Sequence, residues 1–91
     1  MLTAILALSI PGTASAIQSE NGYRDCGYQI AALKTRYLYG LAMTPPGGTT
    51  TNHFSSQWAT KTRNGSYRGN WVASADYLDF GYTGSFCRDY G

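Results

Sequence analysis

From Tyr28 onward the chain alternates apolar and polar positions with a period of two, the pattern of half-buried strands. Tyr28-Gln-Ile30-Ala-Ala32 alternates weakly. Tyr37-Leu-Tyr39-Gly-Leu41-Ala-Met43 places Tyr37, Tyr39, Leu41 and Met43 on one side of an extended strand. A helix over 29–41 is the competing reading; Gly40, the aromatic content and the missing cap before Tyr28 oppose it. Pro45-Pro46-Gly47-Gly48 breaks the pattern, and the β-branched, polar stretch Thr49 to Phe54 suits an edge strand. Trp58–Arg63 and Ser66–Tyr77 flank Asn64-Gly65, the strongest short-range hairpin signal. A two-residue turn there pairs Trp58 with Trp71, Thr62 with Tyr67 and Lys61 with Arg68. Trp58, Thr60, Thr62, Tyr67, Gly69, Trp71, Ala73 and Ala75 then share a core face. Lys61, Arg63, Arg68, Asn70, Val72 and Ser74 share the other. In this register Gly69 leaves room for a neighbouring ring, and Lys61 lies across from Arg68, a mild repulsion tolerable on a solvated or anion-bearing face. Asp76 to Gly81 reads as a turn and Tyr82 to Cys87 as a closing strand. The expectation is an all-β fold, a small antiparallel β-sandwich or barrel of five to six short strands stapled by one disulfide.

The N-terminus differs from the rest. Met1 to Ala16 carries no charge, whereas all seven Lys/Arg and all five Asp/Glu follow it. Leu2 to Ile10 is apolar, Pro11-Gly12 breaks it, and Ala14-Ser15-Ala16 offers small residues for a signal peptidase. The run falls short of the roughly 20 apolar residues that span a bilayer. Residues 1–16 therefore read as a signal peptide cut after Ala16, leaving no transmembrane anchor and a secreted, extracellular domain over 17–91. No Lys or Arg precedes the run, where such peptides usually carry one; a start codon assigned too far downstream accounts for this. Within the domain, the polar residues 17–24 read as a flexible arm.

Cys26 and Cys87 are the only cysteines. In an exported chain an even count reads as a disulfide. Two isolated thiols and one His make no four-ligand zinc site, and no Cys-x-x-Cys redox pair is present. Closing so long a loop is worth about 4 kcal/mol in the chain-entropy model, comparable with the whole stability of so small a domain. Aliphatic residues are scarce, while eight Tyr, three Phe and two Trp supply apolar area. Tyrosine and tryptophan carry polar tips, so this composition fits a thin β-structure with half-exposed rings and a sticky surface.

Little in the sequence points to catalysis. His53 has serines and aspartates available, but no Gly-x-Ser-x-Gly elbow, and its neighbours indicate an edge or loop. The only Glu, Glu20, lies in the arm. Asp76 and Asp79 are spaced for turn capping rather than acid–base work or calcium. Asn64-Gly65-Ser66 matches a glycosylation acceptor but first reads as a turn. Lys61, Arg63 and Arg68, extended by Lys34 and Arg36, form a cationic strip beside tyrosines, suited to an anionic cell-wall or envelope component. A net charge of +2 argues against nucleic acid. No cofactor or metal is expected.

Arg68-Gly69-Asn70-Trp71-Val72-Ala73-Ser74-Ala75, running on to Ser85-Phe86, resembles the corresponding part of lactococcin 972-type bacteriocins. There, too, a Gly-x-Trp strand leads through a short loop to an aromatic closing strand. The resemblance extends in outline to small secreted actinobacterial proteins of unassigned function. It implies a two-sheet β-sandwich acting outside the cell on a cell-wall precursor lipid. This chain departs from the type member in carrying Cys26 and Cys87 and in having a single His. The expected function is a secreted, non-enzymatic binding protein at a cell surface or wall. A bacteriocin-like antagonist is the narrower form, and a small hydrolase using His53 is the rival.

Overall fold

The computed structural model describes residues 17–88; the predicted signal peptide, residues 1–16, lies outside them. Five antiparallel strands form one sheet: β1 (Gln18–Asp25), β2 (Ile30–Thr44), β3 (Thr51–Asn64), β4 (Arg68–Leu78) and β5 (Gly84–Arg88). A 3-10 turn over Phe80–Tyr82 links the last two. The strand order is β1-β4-β2-β3, with β5 also on β2. The sheet is not closed into a barrel, since β1 and β3 end it on opposite sides. Two strands are long rather than short, at 15 residues for β2 and 14 for β3.

β2 organises the molecule. Along one edge it carries β3; along the other, its start pairs with β5 and its second half with β4. Both ladders slip at Leu38–Gly40, where Tyr39 adopts φ 70°. Such a bulge bends a strand and breaks its alternation locally. Leu33 and Tyr37 before it, and Leu41 and Met43 after it, remain buried, while Tyr39 turns out to solvent. The expectation that Tyr39 joins the other three fails at this residue alone.

The two ends of β2 then meet one dipeptide. Ala31 exchanges backbone hydrogen bonds with Gly65 and Ser66 at 2.8 and 2.7 Å, and the Ser66 amide donates to the Pro46 carbonyl at 2.8 Å. The sheet thus folds around an inner face holding Leu33, Tyr37, Leu41, Met43, Trp71, Ala73, Ala75 and Leu78. Trp71 lies over Gly22, where a Cβ would fall 2.9 Å from the indole. Thr83 donates its hydroxyl to the Asp79 carbonyl at 2.9 Å, which leaves Thr35 to donate to Thr83 at 2.8 Å inside this face.

The Asn64-Gly65 hairpin does not form. β3 and β4 flank β2 on opposite edges and do not pair with each other. Gly65 serves close approach instead, because a Cβ there would collide with the Pro46 carbonyl. Gly69 likewise makes room for the Gly47 backbone rather than for a ring. The crossover also removes the like-charge contact of the hairpin register, since Lys61 now faces Thr35 and Arg68 faces Asp25. Trp71 is core at 8 % exposure, but Trp58 at 44 % and Tyr67 at 50 % are not. The expected flexible arm is also replaced. Gln18–Asp25 pairs with β4 along its whole length, and Gln18 accepts from the Leu78 amide at 2.7 Å.

Cys26, just after β1, is bonded to Cys87 in β5, with Cα atoms 5.5 Å apart. Beside it Arg24 donates to both the hydroxyl and the carbonyl of Ser85 at 3.0 Å. These contacts tie the β1–β4 side of the fold to the β5 side.

Candidate binding face

Cross-strand partners share a face, so the ladders sort the side chains into inner and outer sets. Arg36 lies beside Thr60 on the outside, and Leu38 lies beside Tyr77. The Arg36 guanidinium sits 5.3 Å from the Trp58 ring and 5.9 Å from the Tyr82 ring. Its Nη1 donates to Asp79 Oδ2 at 3.1 Å. Asp79 is itself fixed, because its Oδ1 accepts from the Gly81 amide at 3.1 Å and caps the 3-10 turn. The bulge brings Tyr39 to 6.3 Å from Phe54 and 6.0 Å from Tyr77, tilted in both cases. Five rings and one internally neutralised ion pair thus stand along the outside of the bend, all substantially exposed, with Phe54 at 72 %.

Next to the rings the outer surface dips. A shallow depression of about 310 Å³ is lined by Gly40, Ala42, Asn52, His53, Ser74 and Asp76 among others. Phe54 lies directly across from Gly40. A second depression, about 340 Å³, continues the outer row over Asn21, Asn70, Thr44 and Val72.

The predicted cationic strip is divided. Lys61 and Arg63 lie on β3, on the inner side opposite Thr35 and Leu33. Arg63 donates from Nη1 to the Thr49 carbonyl and to Thr51 Oγ1, both at 3.0 Å, and so latches the two ends of the folded β3. Arg68 lies on β4, 3.6 Å from Asp25. Of the cations named as extensions of the strip, Arg36 lies among the rings and Lys34 lines a neighbouring depression with Tyr82 and Phe86. Lys34 is exposed at the start of β2.

His53 contacts Thr51 Oγ1 through Nε2 at 2.8 Å. The same hydroxyl accepts from Arg63 Nη1 at 3.0 Å. Partial burial, then the charges of Lys61 and Arg63, lower the His53 pKa below its ordinary value. Asp76 lies in β4, whereas Asp79 is the turn cap. Asn64 Oδ1 accepts from Arg88 at 3.3 Å. Glu20 lies in β1 opposite Ala73. Among the described residues no group of three or more His, Cys, Asp or Glu is placed to hold a metal ion, and no helix is long and apolar enough to cross a membrane.

Sequence reasoning missed Tyr39, Phe54, Tyr77 and Tyr82 as site residues. The available signal was the number of tyrosines in a chain with so small a core. Compared with protein-family models, curated proteins and solved structures, the chain matches none.

Proposed function

We propose that the protein is exported, loses residues 1–16, and acts outside the cell as a small non-enzymatic binding module at a cell surface or wall. The observation that carries this reading is the outer face at the bend, where Trp58 and Tyr82 flank Arg36 of the Arg36–Asp79 pair and Tyr39 lies near Phe54 and Tyr77. Leaving such rings in water forgoes about 1.5–3 kcal/mol of burial for each large side chain. Contiguous exposed apolar surface of this kind marks contact sites. The disulfide supports an oxidising compartment. The non-enzymatic reading draws on His53, whose ring nitrogen contacts a threonine hydroxyl and whose pKa is lowered by partial burial and by the charges of Lys61 and Arg63. The likeness of residues 68–87 to lactococcin 972-type bacteriocins favours one narrower form, an antagonist that sequesters an envelope precursor.

Pull-down on isolated cell envelopes tests the reading. Wild type is retained, Tyr39→Ala with Tyr77→Ala is released, and Lys61→Glu with Arg68→Glu is retained. Retention of the tyrosine double variant at the wild-type level, or no retention of wild type, refutes it. Growth inhibition of related strains by the purified oxidised protein tests the narrower form.

A further inference from the structure

The outer face also carries information about its ligand. We infer that the bound molecule is an uncharged polymer of pyranose sugars, laid across the β4–β2–β3 part of the outer face, with rings stacked on Tyr39, Phe54 and Tyr77 and hydroxyls over the depression floored by Gly40. This rests on the binding-module reading and names its ligand class.

Three observations lead there. The charges on this face do not suit an anion. The guanidinium of Arg36 is already matched by Asp79, and the carboxylate lining the depression, Asp76, repels negative groups while accepting from hydroxyls. The other cations do not line this depression: Arg63 is engaged by Thr49 and Thr51, Arg68 lies against Asp25, and Lys34 lines a separate depression with Tyr82 and Phe86. Second, the floor is flat and small. Gly40, Ala42 and Ser74 line it, and a Cβ on Gly40 would meet nothing within 4 Å. Its aliphatic lining is Ile17, Leu41, Ala42 and Ala75, of which Leu41 and Ala75 are buried in the inner core, so the depression is shallow rather than a deep socket for the anchor of a protein partner. It offers Asn52, Ser74 and Asp76 as hydrogen-bonding partners instead. Third, the rings are mostly tyrosines, whose apolar faces cover the C–H face of a sugar while their hydroxyls stay wet. The Tyr77, Tyr39 and Phe54 rings follow one another at 6.0 and 6.3 Å across three adjacent strands, a row that successive sugar rings can meet.

The test uses the oxidised full chain with four probes: chitin, cellulose, dextran sulfate and vesicles of anionic phospholipid. Retention is expected on chitin or cellulose, unchanged as NaCl rises from about 0.05 to about 0.5 M, because no screened charge pair holds the complex. Gly40→Val adds bulk where nothing in the fold opposes it, so it should keep the unfolding midpoint and weaken retention. Phe54→Ser serves as a second variant removing a stacking ring. Each should lower retention by about tenfold, the loss of roughly one ring contact. Wild-type retention by both variants overturns the inference. So does salt-sensitive binding, or binding confined to dextran sulfate or the vesicles. Retention on whole envelopes but on neither neutral polysaccharide removes the glycan assignment and leaves the binding module; retention on nothing removes both.

Discussion

The two tryptophans lie on opposite sides of the sheet and in opposite surroundings. Trp71 on β4 is folded over Gly22 among alanines and leucines, whereas Trp58 on β3 stands in solvent against a guanidinium. The same contrast runs along β2. Leu33, Thr35, Tyr37, Leu41 and Met43 point inward and are buried, while Arg36 and Tyr39 point out among exposed rings. The molecule uses aromatic residues in two ways, and only the inner set is needed to hold it together. The inner set is thin, so cross-links and buried polar pairs carry an unusual share of the stability.

Removing the disulfide by Cys26→Ala with Cys87→Ala should cost about 4 kcal/mol in chemical denaturation, enough to unfold much of the population. Next come the tryptophans. Trp71→Ala should cost about 3–5 kcal/mol and Trp58→Ala less than about 1 kcal/mol, read from denaturation midpoints. Equal losses would erase the distinction between the faces. Within the inner face, Thr35→Val should cost about 1 kcal/mol, because the Thr83 hydroxyl loses its donor. The smallest effect is on pH dependence. The folded His53 binds a proton less readily than the unfolded residue, so protonation favours unfolding as pH falls below about 6.5. His53→Asn should flatten that slope slightly, as seen in thermal unfolding at several pH values.

Much of the inner face was legible in the sequence. Alternation placed Trp71, Ala73 and Ala75 together, and Tyr37, Leu41 and Met43 together, because burial on one face imposes a period of two. Cys26 and Cys87 were legible as a bridge, and Thr49–Phe54 as an edge segment. The partner of each strand was not. Asn64-Gly65 carries a local turn preference, but in the fold Gly65 packs against the Pro46 backbone and β4 pairs with β1 and β2 instead of β3, contacts between residues far apart in the chain that no local signal reports. Alternation alone does not say which face is inside. In β3 the hairpin register therefore put Trp58 on the core face and Lys61 and Arg63 on the other; the faces are exchanged, with Lys61 still exposed at the open end of the inner side. The outer ring cluster was illegible for a related reason. Tyr39 leaves the inner row only because a bulge gives it a left-handed backbone. A polar segment such as Gln18–Asp25 also gains its strand from an existing edge of β4 rather than from its own pattern.

The outer rings contribute to contact rather than to the fold. Equilibrium unfolding of the oxidised protein carrying Phe54→Ser, Trp58→Ser and Tyr77→Ser together tests it most directly. The account predicts a loss within about 2 kcal/mol and an unchanged cooperative transition. A loss as large as that of Trp71→Ala would contradict it.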